Sequence, residues 1–234
     1  MDGVRHFVLA PRRQGAAFLV KSSVPYAAST HERKCQSGLN ELALRISGPF
    51  SGCHNAVMDA IVRQAIAKWP RVPACFGWLG LDARGRWYLR DAATQAKGSF
   101  RVSKGDWLRH VKLLAFIGRN YLADGRGRWF FQNGPQQVFV ELEATPWVWR
   151  ISVDGEIRSH TDQPATAEQI LLDEQGRVYI ATAIGLGIVH SLDVPTVAAL
   201  LEQGRLAAPE DVVAQTLPAR FGYVVSPAHD PVQR

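Results

Sequence analysis

The chain has 234 residues, 47% of them hydrophobic and 21% charged, with a formal net charge of +6. This is the composition of a globular protein with a substantial core and at most two domains. No apolar run approaches the ~20 residues that cross a bilayer, no secretory apolar segment stands near the start, and Cys35, Cys53 and Cys75 are too few for a disulfide framework, a usage that fits a reducing cytoplasm.

Charge is unevenly spread. Residues 1–57 carry seven Lys/Arg against three Asp/Glu, residues 58–150 fifteen against seven, and residues 151–234 five against eleven. The basic middle suits an anionic partner; the two regions neutralising each other explains it as well.

Residues 1–57 mix Arg, Ser, Gly and His without a sustained period, and are expected to be a disordered extension or a mis-assigned upstream translation, with Met58 as the native start. From Met58 the pattern sharpens. Asp59 stands where it would cap a helix whose apolar residues Ile61, Val62, Ala65, Ile66 and Trp69 share a face, and Pro70 ends it. Residues 75–81 and 86–90 read as a hairpin, 91–105 as a polar loop, and 106–122 as a helix with Trp107, Leu108, Val111, Leu114, Ala115, Gly118 and Tyr121 on one stripe, capped by Asp106 or Ser103. Strands follow at 129–132, 137–143 and from 147, with turns at Asn133-Gly134-Pro135 and Val153-Asp154-Gly155. A third hairpin covers 170–172 and 178–181, and a strand lies near 187–191. Asp193 would cap a helix with Pro195 in its first turn and Gly204 at its end. A short helix at 209–217, a last strand at 221–225 and a loose tail complete the chain.

One phrase recurs three times: Asp82-Ala-Arg-Gly85-Arg86-Trp87-Tyr88, Asp124-Gly-Arg-Gly127-Arg128-Trp129-Phe130 and Asp173-Glu-Gln-Gly176-Arg177-Val178-Tyr179. Gly inside a polar turn, followed by residues of strand propensity, is hairpin chemistry. The fold expected is α+β: mostly antiparallel hairpins in two roll-like halves, 58–135 and 136–234, with a few helices packed on the sheets.

No motif of catalysis, metal binding or cofactor binding stands out, and no cofactor is expected. Arg84, Arg86, Arg126, Arg128 and Arg177 at the turns form a row suited to phosphate or carboxylate, or else ordinary solvated turns. Trp147 and Trp149 share a strand face and, with Phe139, make either a stacking platform or core. Glu141 and Glu143 share a face suited to paired-carboxylate chemistry, and His160 shares one with Asp162 if that stretch is extended. Cys75 reads as a buried small hydrophobe, and His110 as a solvent-facing helix residue. Gly185-Leu-Gly187-Ile-Val-His190 imitates a dinucleotide loop without its third glycine or its βαβ unit, and reads as a close backbone approach or bulge. Cys53-His54 has no partner at metal-ligand spacing.

The stretches Met58–Pro70, Gly77–Asp82, Phe131–Pro135 and Glu141–Trp149 resemble a proteobacterial family of uncharacterised proteins of the domain-of-unknown-function type, over residues 58 to about 226. The phrase at Gly85 and the stretch Val138–Trp149 are more loosely similar to another such family with a duplicated, roll-like α+β build. Neither resemblance implies an activity.

The function these readings favour is a non-enzymatic binding or regulatory module for an anionic small molecule or a protein partner, with no membrane partner. Two alternatives stay open: nucleic-acid binding through the basic region 84–150, and a hydrolase using Glu141, Glu143 or His160. The Met58 start is checked by the intact mass of the protein isolated from its own host, which is expected to match residues 58–234; a mass that includes residues 1–57 overturns it.

Overall fold

A computed structural model describes the backbone of residues 6–10 and 18–22, and residues 58–69 and 71–229 throughout. Strands β1 (His6–Ala10) and β2 (Phe18–Ser22) pair antiparallel. The other expectations for residues 1–57, the helix stop at Pro70 and the tail from residue 230 lie outside the described residues.

Helix α1 is Ala60–Lys68. It buries Val62 and leaves Ile61 and Trp69 exposed. Asp59 stands at its N-cap but does not cap it with its side chain. The carboxylate instead meets Arg119 at 3.2 Å, and the Asp59 N–H donates to Asn120 Oδ1 at 3.0 Å.

Two sheets follow. The first contains β3 (Cys75–Leu81), β4 (Trp87–Leu89), β5 (Asp106–Trp107), β6 (Tyr121–Ala123), β7 (Trp129–Asn133) and β8 (Gln136–Leu142), in the order β5-β4-β3-β8-β7-β6. The second contains β9 (Trp147–Ile151), β10 (Ile157–Ser159), β11 (Pro164–Ala165), β12 (Gln169–Asp173), β13 (Val178–Thr182) and β14 (Gly185–Val189), in the order β11-β10-β9-β14-β13-β12, with β15 (Glu210–Val212) added beside β12. Adding six to each strand number of the first order produces the second. The central pair is parallel in both, β3 with β8 and β9 with β14, and the remaining pairs of each six-strand unit are antiparallel. The fold is α+β and internally duplicated, with two mostly antiparallel sheets. The division expected at 135/136 falls at the β7–β8 turn, inside the first sheet.

The second unit is rolled because its edge-to-edge connection is short. β11 and β12 sit at opposite edges of their unit, about 24 Å apart if five strand spacings lay flat. From Ala165 to Gln169 the chain reaches at most about 14 Å. The sheet therefore curls until its edges approach, without closing into a barrel. In the first unit the same crossover runs through α3 (Val111–Arg119), which buries Leu113, Phe116 and Ile117. One continuous apolar cluster fills both units.

The recurring phrase closes the hairpins as expected, and the structure has a fourth copy. Asp82, Asp124, Ser152 and Asp173 each donate their N–H to the carbonyl four residues on and accept the glycine N–H three residues on. Their side chains accept the N–H of Arg86, Arg128, Glu156 and Arg177 in turn, at 2.8–3.1 Å. Gly85, Gly127, Gly155 and Gly176 follow with φ of +73° to +83°. This is a type I turn with a glycine bulge, in which a short acceptor side chain satisfies the turn's own N–H groups.

Several elements differ from expectation. Asp106 and Trp107 are a strand, because Tyr88 and Leu89 offer an open edge, so the helix expected over 106–122 is confined to Val111–Arg119. His110 caps it, its Nδ1 accepting the Leu113 N–H at 3.2 Å. The 91–105 loop contains helix α2 (Ala92–Ala96), capped by Asp91. Helix α4 (Val194–Glu202) carries Pro195 in its first turn, but Asp193 makes no capping bond because Arg150 takes its carboxylate. The helix expected at 209–217 is instead β15 and a 3-10 turn, Ala214–Thr216. The strand expected at 221–225 is the end of α5 (Leu217–Phe221), stopped by Gly222 at φ +64°.

Gly187 is a close approach, as its sequence context implied: a Cβ there would collide with Trp149 Nε1 and stand 2.8 Å from Trp147 Cβ. Gly187→Ala is expected to cost about 1–3 kcal/mol by overpacking. Gly125→Ala, with nothing within 4 Å, is expected to be neutral within about 0.5 kcal/mol. Urea midpoints of the two variants check both.

Candidate functional site

The β3–β4 turn is lodged against the second sheet. A Cβ on Gly85 would stand 2.7 Å from His160 Cβ and 3.7 Å from Val148 Cβ. This placement fixes where Arg84 and Arg86 emerge. Arg84 is exposed and Arg86 half-buried.

Comparison of the three Asp turns isolates Arg86. In the second and third copies the arginine at this position returns to its own turn: Arg128 Nε donates to Asp124 Oδ2 at 2.7 Å, and Arg177 Nε to Asp173 Oδ2 at 2.6 Å. In the first copy Tyr88 Oη donates to Asp82 Oδ2 at 3.2 Å, and the guanidinium turns away to lie over Trp107, 5.0 Å from the ring centre. Arg109 lies over the same indole at 4.2 Å. Strand pairing explains the meeting: Trp107 faces Tyr88 across the β4–β5 ladder, and Arg86 and Arg109 are each two residues along, on the same face. Trp107 is 44% exposed. Among the described residues Arg84, Arg86 and Arg109 have no carboxylate partner.

The second sheet adds Arg150 and His190. Arg150 Nε donates to Asp193 Oδ2 at 2.6 Å, and Asp193 also accepts the Ile151 N–H at 3.1 Å. Burial opposes the Asp193 charge, but these bonds outweigh it and hold the carboxyl below its ordinary range. His190 is 9% exposed; its N–H donates to Trp149 O at 2.9 Å and its Nδ1 accepts the Leu192 N–H at 3.2 Å. Burial holds its pKa below the ordinary histidine value, and the charges of Arg150, Arg84 and Arg86 push the same way.

The other expected site residues go elsewhere. Arg128 is neutralised by Asp124 and stacks on Phe139 at 4.7 Å, while Arg126 is exposed at the same turn. That turn lies at the same end of the first sheet as the β3–β4 turn, three strand positions along it. Trp147 and Trp149 are 3% and 0% exposed, and their indole N–H groups donate to Ile184 O at 2.7 Å and Ile180 O at 2.8 Å. They fill the core and present no open ring face.

Glu141, Glu143 and His160 are each engaged separately. Buried Glu141 accepts the Ser226 hydroxyl and the Ala228 N–H, tying the C-terminal segment to β8. Glu143 accepts from Lys104 at 2.8 Å and from the Ala83 N–H at 2.9 Å. Asp162 does not share an extended face with His160: it sits in a turn at φ +65°. Cys75 is buried as expected and is disulfide-bonded, so it offers no thiol. Among the described residues no group of three His, Cys, Asp or Glu is placed to hold a metal ion, and no helix is long and apolar enough to cross a membrane.

His160 stands inside an aromatic box shared by the two units, with ring centres of Trp87, Tyr121 and Trp147 at 5.6, 5.9 and 5.9 Å. Its Nδ1 accepts the Val148 N–H at 3.3 Å, so the neutral ring carries its hydrogen on Nε2, which is buried without a hydrogen-bond partner.

A family model described as a protein of unknown function (DUF2946), under the family label DUF2944, matches residues 58–228, and the chain belongs to that family. No curated protein matches it. Among solved structures, a DUF1285 family protein from Silicibacter pomeroyi DSS-3 is similar at 10% identity and a TM-score of 0.39, over 64% of this chain and 78% of that one.

Burial lowers the His160 pKa from 6.5 to about 3. Above pH 6.5 the ring is neutral in both folded and unfolded chains. Below it the unfolded chain takes up a proton that the native state refuses, so stability falls by about 1.4 kcal/mol per pH unit down to pH 3. Urea midpoints between pH 6.5 and 5 are expected to show this slope, and His160→Phe to reduce it by that amount.

Proposed function

We propose that the protein is a non-enzymatic binding module that takes an anionic ligand on the surface formed by Arg84, Arg86, Trp107, Arg109, Arg150 and His190. The observation that carries this reading is the released Arg86. At the equivalent position Arg128 and Arg177 are neutralised by the aspartate of their own turn, whereas Arg86 leaves Asp82 to Tyr88 and lies over an exposed indole. Stacking on Trp107 restricts the guanidinium groups of Arg86 and Arg109, so less rotamer freedom is lost when they close on an anion. Unpaired cations held on a docked turn form a surface whose charge is matched by a ligand rather than by the protein itself.

Titration of the full chain with pyrophosphate at low salt, followed by calorimetry, is expected to show binding. Arg86→Ala is expected to weaken it at least tenfold, the scale of one charge-assisted hydrogen bond, and Arg128→Ala to leave it within twofold. No binding, or equal losses in the two variants, overturns the reading.

A second reading has one observation of its own, the exposed Trp107 between two arginines, which is the pattern of a base-stacking contact on single-stranded nucleic acid. It predicts that the logarithm of the affinity for an RNA oligonucleotide falls by about 0.7 per phosphate contact per decade of salt, and that Trp107→Ala reduces it.

A further inference from the structure

The groups around the lodged turn narrow the chemistry of the ligand. Arg84 and Arg86 come from the turn, Arg150 from β9 and His190 from the chain just after β14. Val148 and Trp149 bring them together. Gly85 lies against Val148, two residues before Arg150, and the carbonyl of Trp149, the residue between, accepts the His190 N–H at 2.9 Å. Arg150 reaches Asp193 at 2.6 Å. With Arg109, which lies over the same indole as Arg86, four guanidinium groups against the carboxylates of Asp82 and Asp193 leave two positive charges at this place.

A planar carboxylate is satisfied by one bidentate guanidinium and carries one charge. A phosphate diester also carries one charge and has two free oxygens. A terminal phosphate carries nearly two charges at neutral pH and offers three oxygens, which suits donors arriving from three directions. On the anion-binding reading above, we propose that the ligand is a phosphate monoester, held as its dianion by Arg84, Arg86 and Arg150, with His190 taking up a proton as it binds.

The proton uptake follows from the surroundings of His190. Its Nδ1 is occupied by the Leu192 N–H, so Nε2 carries the hydrogen of the neutral ring. The charged groups about the ring are Arg150 on β9, Asp193 at the head of α4, and Arg84 and Arg86 on the turn. Burial and the three arginines keep the ring neutral, and Asp193 opposes them. A dianion beside the ring shifts that balance towards the imidazolium, and by linkage the bound state draws a proton from solution.

Calorimetric titration of the full chain at pH 7.5 and low salt tests this with three probes: phenyl phosphate, methyl phenyl phosphate and benzoate. Phenyl phosphate is expected to bind at least tenfold more tightly than the other two. Its heat is expected to differ between two buffers of unlike ionisation enthalpy, reporting proton uptake, and His190→Gln to abolish that difference. Arg84→Ala, an exposed position, is expected to weaken binding at least fivefold. If methyl phenyl phosphate or benzoate binds as tightly as phenyl phosphate, the monoester is overturned while the anion site stands. If none of the three binds and pyrophosphate fails as well, the anion reading itself falls. Phenyl phosphate binding with heats independent of buffer overturns the role of His190. Should His190→Gln not fold, the buffer dependence of the unaltered protein decides the point.

Discussion

A hairpin tip can press against a neighbouring sheet only where it has no side chain to spare, and Gly85 meets that condition. Its missing Cβ leaves room for His160 Cβ and Val148. The contact joins the first unit to the second beside the aromatic box and sets where Arg84 and Arg86 leave the turn, Arg86 over Trp107. A side chain at residue 85 would separate the units at their shared core as well as disturb the turn. The positive φ of +75° imposes glycine a second time.

The duplication accounts for the rest of the frame. Two six-strand units share one strand order and one parallel central pair, and in each the chain must cross between opposite edges of the sheet. The second unit makes that crossing with three residues and has to curl tightly. The first makes it with α3, and also accommodates α2. The two helices flank β5, the edge that carries Trp107, in the chain, so the unit with extra structure is the one that bears the unpaired arginines.

What could be read in the sequence was whatever depends on near neighbours. The turn phrase was legible because its bonds run from Asp82 to residues 84, 85 and 86, and the same holds at Asp124 and Asp173. The close approach at Gly187 was legible from its glycines within a strand. The alternation that puts Trp147 and Trp149 on one face was legible too, but which face meets the core depends on β7, β13 and β14. The short β5 was not legible, since two residues make a strand only when Tyr88 and Leu89 stand alongside them. Arg109, Arg150 and His190 were missed as site residues for the same reason. Trp107-Leu108-Arg109 holds the one local clue, an aromatic and a cation two residues apart, and it was absorbed into an apparent helical stripe. Asp193 had the position and residue type of a cap, and a partner 43 residues away took its carboxylate.

The two units have kept their hydrogen bonds and exchanged their sign. Where the first turn has Arg84 and Arg86, the equivalent turn of the second, headed by Ser152, has the exposed Asp154 and Glu156. A repeated fold with matching surfaces would offer two equivalent seats and would be able to bridge two molecules of whatever it holds. With one turn basic and its counterpart acidic, the proposed anion seat has no twin: on that reading the valency is one, and the chain would take one equivalent of ligand in spite of its internal pair.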